Sequence, residues 1–315
     1  MWFKHLHLYR VHDQASLSQQ ALEDALAVLA FRPVGRFEAK RVGFGAPAGR
    51  GGERLVHELE GHRLLRLRRQ ERLLPNAVVA EELEERCEAF EAANGFAPPR
   101  REKQALKEKV VEELLPRAFT RSGHIDLWWD TRRSLIGIDC ASRKRGEEMI
   151  DLLRQALGSL KVTPLSVKRP PAKTLTDWLR EPASRPQDLL LGDAVELRGD
   201  DDGVLRARAI DLDGEEIQTA LAAGRQVSRL ALSLEGQLSF TLQDDLALKS
   251  LKFDDQLLDQ ADDEVRNDDP VERLETEFAL MASTLAALSE RLIEWLGGEV
   301  ETGPAPWHQD EAVEA

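Results

Sequence analysis

Two periodicities of apolar residues predict the elements of this chain. Apolar residues recur every three or four positions over 271–295, which is typical of a helix with one buried face. Segments such as 189–197 and 237–243 alternate apolar with polar residues or carry short apolar runs, which is typical of strands. Because many strands adjoin in hairpins instead of alternating regularly with helices, the pattern predicts an α+β fold of mixed or antiparallel sheets.

The first 170 residues are predicted to combine strands with helices. Strands are expected over 2–11, 54–59, 63–68, 124–130, 134–140 and 161–168, the pair at 124–140 forming a β-hairpin. Helices are expected over 17–30, 76–93, 101–115 and 146–157. The helix over 76–93 carries a predicted buried stripe of Val79, Leu83, Cys87 and Phe90. The glycine-rich segment 43–52 reads as a loop.

The remaining residues begin at the proline pair Pro170-Pro171 and are dominated by strands. A short helix carrying Trp178 precedes strands over 189–197, 204–211, 225–234, 237–243 and 246–253, with a helix over 214–223 among them. Residues 254–269 are strongly acidic and are interpreted as a linker. A long helix follows, with Asp269 as its predicted cap and Gly297-Gly298 as its end.

Composition shifts and proline pairs divide the chain into six predicted regions. These are an N-terminal α+β region (1–75), a helical arm (76–121), a β-hairpin and α/β region that returns to the N-terminal part (122–170), a C-terminal antiparallel β-rich region (171–253), the acidic linker with the long helix (254–298), and a disordered tail (299–315).

The apolar stripe of the last helix allows two interpretations. A stripe of this length can pack on the helix of a partner, which would make the chain a protein-only adaptor. It can equally be buried inside its own domain, and we favour that interpretation because few helices of this length in soluble proteins are coiled coils.

Composition predicts a soluble cytoplasmic protein. The two cysteines, Cys87 and Cys140, form no CxxC pair, which fits a reducing compartment. No apolar segment approaches the ~20 residues that a membrane span requires, and the first residues lack the apolar core of a signal peptide. We therefore expect no membrane association.

Charge is distributed unevenly along the sequence. Residues 1–180 hold 32 Lys and Arg against 25 Asp and Glu, a net charge of +7, whereas residues 181–315 hold 11 against 32, a net charge of −21. A basic part in an acidic whole suggests a positive surface for a polyanion, although uneven solvated charge alone would give the same count.

The basic residues concentrate in a few segments. Residues 61–72 carry five Arg against one Glu, and residues 100–121 carry seven Lys and Arg against four Glu. In the acidic half, basic residues occur in pairs with even spacing, which places each pair on one face of its strand. The candidate phosphate-binding residues are Arg66, Arg68, Arg100, Arg101, Lys103, Lys107, Arg117, Arg121, Arg206, Arg208, Arg225 and Arg229.

Motifs of catalysis are missing from the sequence. The glycine-rich loop lacks the order of a phosphate-binding loop or a dinucleotide fingerprint, and no GxSxG is present. No cofactor or metal site is predicted. One enzymatic alternative stays open: Asp126, Asp130 and Asp139 lie on the predicted hairpin, Asp126 and Asp130 on one face, and could serve a metal-dependent nuclease.

Stretches spread over nearly the whole chain resemble the bacterial recombination-associated protein RdgC family. They include MWFKHLHLYR (1–10), AFRPVG (30–35), LLPRAFTR (114–121), IDCAS (138–142), LGSLKVTPLS (157–166), TLTDWL (174–179), GVLRAR (203–208), SRLALSLEGQLSFTL (228–242), ETEFALM (275–281) and LGGE (296–299). The resemblance implies a non-enzymatic, nucleoid-associated protein. It implies a homodimer of curved subunits closed into a ring around double-stranded DNA, which binds with little sequence preference and antagonises RecA.

The resemblance also suggests one interface residue. In LLPRAFTR, Phe119 is a candidate anchor between subunits, and burial in the chain's own core is the alternative. The chain departs from the family pattern in the looser 43–52 loop, the Arg-rich 66–72 segment, and Ala209 and Ile210 after Arg208. The resemblance therefore does not determine which cations contact DNA.

Overall fold

Two antiparallel sheets form the framework of the chain. The computed structural model describes residues 2–12, 17–49, 52–200, 203–264 and 269–300. Within these residues the first sheet has seven strands and the second has five, and neighbouring strands run antiparallel. The predicted α+β class is confirmed. None of the described helices combines the length with the apolar character that crossing a membrane requires.

The first sheet is built around two long antiparallel strands. Its strands are β1 (His7–Val11), β2 (Lys40–Gly45), β3 (Val56–Leu59), β4 (His62–Leu73), β5 (Phe119–Asp130), β6 (Leu135–Asp139) and β7 (Val162–Pro164). They follow the order β2-β4-β5-β6-β1-β7, with β3 also paired to β4. Strands β4 and β5 pair along their whole length, from His62 opposite Asp130 to Leu73 opposite Phe119.

The first sheet is covered on both faces. Helices α1 (Gln19–Ala27) and α4 (Arg143–Leu157) pack on one face, where Leu65, Leu127 and Ile136 are buried. On the other face Leu64 and Trp128 join the core that also contains the second sheet. This arrangement follows from period 2, because adjacent residues such as Leu127 and Trp128 point to opposite faces.

A helical arm connects β4 to β5. It consists of α2 (Asn76–Asn94), α3 (Arg100–Leu114) and a short 3-10 turn (Leu115–Arg117). Across the two helices of this fully described segment, Val79 and Val110 are the only buried residues. The predicted stripe on α2 is therefore confirmed only at Val79, since the other three members are half-buried. Two helices packed on each other leave most of their side chains in contact with solvent.

The second sheet contains the later strands. These are β8 (Leu189–Arg198), β9 (Val204–Arg208), β10 (Gln226–Leu234), β11 (Leu238–Gln243) and β12 (Leu248–Phe253), in the order β12-β11-β10-β8-β9. The same region contains helices α5 (Pro171–Arg180) and α6 (Glu215–Ala222), and Trp178 of α5 is buried in the core shared by the two sheets.

Two helices lie at the C-terminal end of the described chain. Helix α7 (Asp255–Glu264) occupies the segment interpreted from its charge as a linker, so that interpretation was wrong over these residues. Helix α8 (Pro270–Trp295) begins as predicted, with the Asp269 carboxylate accepting a hydrogen bond from the Val271 amide. The predicted disordered tail (299–315) was wrong at Glu299, which bridges to Val167 and accepts a hydrogen bond from Arg10, and from 301 onward it falls outside the described residues.

The apolar stripe of α8 is buried inside the chain. Its central members lie in the core shared by the two sheets: Leu274, Phe278, Met281, Leu285, Leu288 and Leu292. The interpretation as intramolecular burial is confirmed. An adaptor that used this stripe to dock a partner would have to unpack the core first.

Candidate nucleic-acid interface

The candidate cations fall into three groups according to the element that carries them. The arm carries Arg100, Arg101, Lys103, Lys107 and Arg117. Strands β4 and β5 carry Arg66, Arg68 and Arg121. The second sheet and the loop before β10 carry Arg206, Arg208, Arg225 and Arg229. The structure brings Arg206 and Arg229 together around one carboxylate, and the three groups differ in how their charges are partnered.

The arm cations are exposed and carry their charge without compensation. All five side chains are on the surface, and none forms an ion pair with a carboxylate in the described part of the chain. The nearby Arg86 on α2 differs, because its guanidinium is bound by Glu82 and Glu113. Long exposed cations without a partner are suited to neutralising the phosphates of a polyanion.

Two of the cations on β4 and β5 are already paired. Arg66 donates two hydrogen bonds of 2.7 Å to Asp126, and its side chain is only 16% exposed. Arg121 binds Glu71, which also accepts from Arg69; these hydrogen bonds lower the pKa of Glu71 to about 2. Asp126 and Glu71 therefore neutralise positive charge that would otherwise face a ligand.

Arg68, the third cation on these two strands, is exposed. Its guanidinium lies 4.4 Å from the centre of the Phe31 ring, a cation–π contact that orients the side chain and leaves its charge uncompensated.

The second sheet arranges its arginines around one buried carboxylate. Strand pairing places Glu196 of β8 between Arg206 of β9 and Arg229 of β10. Glu196 is 4% exposed, and its oxygens lie 2.8 Å from Arg206, 3.6 Å from Arg229 and 3.3 Å from Arg198. The Ser228 hydroxyl donates a further hydrogen bond of 2.9 Å. We call Arg198, Arg206, Arg229 and Glu196 the Glu196 cluster.

Electrostatics keep this carboxylate ionised. Burial alone would raise the pKa of Glu196, but the hydrogen bonds from Arg206 and Ser228 and the charge of Arg229 outweigh burial and lower that pKa. Three guanidinium groups then face one negative charge, so the cluster keeps a positive excess. Arg208, two residues after Arg206 on β9, adds an exposed cation without an ion pair in the described residues, and the predicted common face of these two is confirmed.

The prediction that Arg225 and Arg229 share one strand face was wrong. A bulge between Val227 and Arg229 shifts the register of β10 against β8, which breaks the alternation that the prediction assumed. Arg225 precedes the strand, and its guanidinium donates 2.9 Å to the carbonyl oxygen of Gly203. It is therefore tied to the β8–β9 loop and not to the Glu196 cluster.

Sequence reasoning missed the residue that organises this site. Glu196 lies between the buried Val195 and Leu197, and an acid within an apolar strand was the available signal. Arg198 and Lys249 were also missed. Arg198 enters the cluster through its even spacing from Glu196, whereas Lys249 comes from β12, and no local pattern relates it to β8.

The hairpin aspartates are all held by donors of the protein. Asp126 is bound by Arg66, and the fully buried Asp130 accepts from the amides of Arg132 and Arg133. Asp139 accepts from the amides of Lys4 and His5. Asp126 and Asp130 do lie on one face, as period 2 predicts, but among the described residues no three His, Cys, Asp or Glu are grouped so as to hold a metal.

Phe119 lies on the surface. Its side chain is 85% exposed, so burial in the chain's own core was the wrong alternative. It pairs with Leu73 on the neighbouring strand β4, which is also exposed, and Arg117 and Arg121 flank it in sequence. An aromatic ring of this exposure beside a second apolar side chain is typical of an interaction surface.

Known proteins of one family match this sequence along nearly its whole length. The sequence model of one family, described as "Putative exonuclease, RdgC", matches residues 1–299. The recombination-associated protein RdgC of Aeromonas hydrophila subsp. hydrophila is 40% identical over 304 residues, covering 96% of this chain and 100% of the relative. Proteins of the same name from Enterobacter sp. (strain 638) and Yersinia pestis (strain Pestoides F) are 40% and 39% identical over 303 residues, covering 96% of this chain and 99% of each relative.

Proposed function

The chain belongs to the RdgC family of recombination-associated proteins, and from this premise we propose that it binds double-stranded DNA without sequence preference. We propose further that two copies close into a ring around the duplex and limit the access of RecA to it, and that the protein associates with the nucleoid. The observation that carries the proposal is a set of exposed cations without a carboxylate partner in the described chain: Arg68, Arg100, Arg101, Lys103, Lys107, Arg117 and Arg208.

Phosphates fit these cations better than bases do. Each phosphate contact releases counterions, so affinity should fall steeply with salt, with a log–log slope of about −0.9 per phosphate. The cations lie on a helix, a turn and strands that carry no DNA-reading motif, and backbone contacts convey no sequence information. Binding without sequence preference follows from that chemistry.

Phe119 supports the homodimer. In a two-fold symmetric interface the same patch occurs on both subunits, so one exposed aromatic contributes twice. The Leu73–Phe119 pair offers such an apolar patch beside the cations Arg117 and Arg121. A ring closed in this way would slow dissociation, because the duplex could leave only at an end or after the ring opens.

The nuclease alternative has less support from the site. Each hairpin aspartate is taken up by amides or by a guanidinium, and a metal would have to displace these donors. We therefore propose a non-enzymatic role. Incubation with plasmid and Mg²⁺ or Mn²⁺ tests this directly, since products that disappear in Asp126→Ala would establish the nuclease.

The ring is tested through Phe119→Ser. We expect the wild-type protein to sediment as a dimer and to shift random duplex in a gel, and we expect the variant to be largely monomeric. Folding should be unaffected because the side chain is exposed. Val28→Ser, at the C-terminal end of α1, changes an apolar residue of similar exposure and serves as the control.

Two results would contradict the proposal. One is a wild-type protein that shows no duplex binding at about 0.1 M salt, where phosphate contacts are strong. The other is a Phe119→Ser variant that remains dimeric and keeps its hold on closed circular DNA. In a strand-exchange reaction, wild-type protein added before RecA should lower the yield of exchanged product, and the monomeric variant should lower it less.

A further inference from the structure

A cleft lies between the second sheet and the segments around His5 and Ala141, which adjoin the first sheet. It has a volume of about 430 Å³ and is lined on one side by His5 and Ala141 and on the other by residues of β8 to β12. Its charged lining residues are Glu196, Arg206, Arg208, Arg229 and Lys249. The cleft therefore includes most of the Glu196 cluster but not Arg198.

The lining of the cleft has a strong positive excess. Four cations face one carboxylate, a net charge of +3, in the half of the chain whose overall charge is −21. Asp139 and Asp245 lie within electrostatic range of Lys249 but do not line the cleft. A concave surface with convergent cations concentrates positive potential, which favours a compact anion with more than one negative charge.

Glu196 holds the arginines without using up their hydrogen-bond donors. Each guanidinium has five N–H groups, and one or two of them suffice for the contact with the carboxylate. The side chains of Arg206 and Arg229 are still 65% and 46% exposed, so their remaining donors are available to a ligand. The cluster is thus ordered before any ligand arrives, which reduces the entropy lost on binding.

Lys249 is also held in place by hydrogen-bond partners, in this case a histidine and a backbone carbonyl. Its ammonium group lies 2.8 Å from Nε2 of His7 and donates 3.0 Å to the carbonyl oxygen of Ala141, which leaves one of its three protons. Burial lowers the pKa of Lys249, so a neighbouring anion would stabilise its charged form. His5, on the facing wall, has a buried Nδ1 for which the described residues provide no hydrogen-bond partner.

We propose that this cleft binds a phosphate monoester or free phosphate in its dianionic form. A phosphodiester within a DNA strand carries one charge, whereas a terminal phosphate carries nearly two and presents three oxygens to donors. Convergent guanidinium groups match that geometry and charge. The inference extends the proposed DNA function, from which it takes phosphate as the ligand, and it adds that strand termini or free nucleotides are recognised separately from the duplex backbone.

The test measures binding of inorganic phosphate and of thymidine 5′-monophosphate to the full chain by calorimetry in a chloride buffer. Both should bind saturably with one site per chain, and thymidine should not bind. Arg229→Gln should weaken phosphate binding about tenfold or more, because a charge-assisted contact is lost. Arg198→Gln is the matched control: this arginine also contacts Glu196 but lies outside the cleft, so affinity should stay within about twofold.

The outcomes separate this inference from the proposed function. Absence of saturable phosphate binding, or equal losses in Arg229→Gln and Arg198→Gln, would overturn the inference even if duplex binding is intact. If Arg229→Gln fails to fold, Arg208→Gln replaces it, since that arginine is exposed and forms no ion pair in the described residues. Failure of the duplex gel shift with phosphate binding retained would overturn the proposed function alone.

A second arm identifies the source of the phosphate. Duplexes with a 5′-phosphate are compared with the same duplexes ending in a 5′-hydroxyl. A gain in affinity that disappears in Arg229→Gln assigns the cleft to strand termini. Equal affinity for both duplexes, with thymidine 5′-monophosphate still bound, assigns it to free nucleotides. Either result confirms a phosphate dianion site.

Discussion

The helical arm and the second sheet both present cations, but they hold them in opposite ways. In the arm, Lys103 and Lys107 project from a helix whose only buried residue is Val110. In the second sheet, Arg206 and Arg229 converge on the buried Glu196, above a core that extends to α8. The arm presents its cations on helices with few buried residues, whereas the second sheet presents an ordered group of arginines above a well-packed core.

Cations of the same charge can therefore support two kinds of binding. Unpaired side chains on the arm can follow phosphates at many positions, at the cost of ordering long side chains on contact. Arginines held by Glu196 have lost much of that freedom already, so they favour a ligand of matching shape. The comparison holds only if the two regions also differ in stability and in their response to salt.

The largest expected effect concerns the packing beneath the sheet. Phe278→Ala removes a fully buried ring of α8 and should lower the free energy of unfolding by about 3–5 kcal/mol. Urea unfolding followed by circular dichroism measures this loss. Because the ring lies in the core shared by both sheets, the whole described fold should lose stability together.

Val110→Ala in the arm supplies the contrast. It removes two methyl groups and should lower the free energy of unfolding by about 2 kcal/mol, mainly by destabilising the arm. Hydrogen exchange should then speed up in α2 and α3 and stay unchanged in β10. If β10 exchanges equally faster, the arm and the sheet form one cooperative unit and the comparison fails.

Acid should also destabilise the contact between the two sheets, where His7 lies beside Lys249, more than it destabilises the arm. Burial lowers the pKa of His7 from 6.5 to about 4, so the unfolded chain binds the proton more tightly than the folded chain. Stability from this histidine is complete above pH 6.5 and is lost as the pH falls toward 4. Between pH 7 and pH 5 the expected loss is about 2 kcal/mol.

The measurement is the urea midpoint at both pH values. In His7→Gln that share of the acid loss should vanish, whereas His12→Gln, which changes an exposed histidine, should keep it. An unchanged acid loss in His7→Gln would show that other groups cause it. Hydrogen exchange of the arm at pH 5 should differ little between the variants.

The sequence was a good guide where local pattern decides structure. The spacing in α8 and its cap at Asp269 were predicted, because a long amphipathic helix reveals its buried face through its period. Helix α7 was missed, because the acidic residues around Leu257, Leu258 and Ala261 concealed an apolar stripe that packs on the core.

Close approach between distant segments concealed other features. The glycines at the end of β2 predict a loop, but this segment is a strand in which a side chain at position 43 would come within 2.7 Å of the Phe31 backbone. Glycine at position 43 allows β2 to lie close to the Phe31 backbone, and nothing in the local sequence reveals this close approach. The Glu196 cluster was missed for the same reason, since its cations come from three strands and a bulge sets their register.

The smallest expected effect tests the arm's cations and bears most directly on function. Lys103→Gln with Lys107→Gln removes two exposed charges that have no carboxylate partner in the described chain, so stability should change by less than about 0.5 kcal/mol. The slope of log affinity for duplex against log salt should become shallower by about 2. Arg86→Gln on the same arm removes a charge already bound by Glu82 and Glu113, so the slope should hardly change. Equal changes per charge removed would mean that net charge alone matters, and the contrast between free and held cations would then have no bearing on DNA binding.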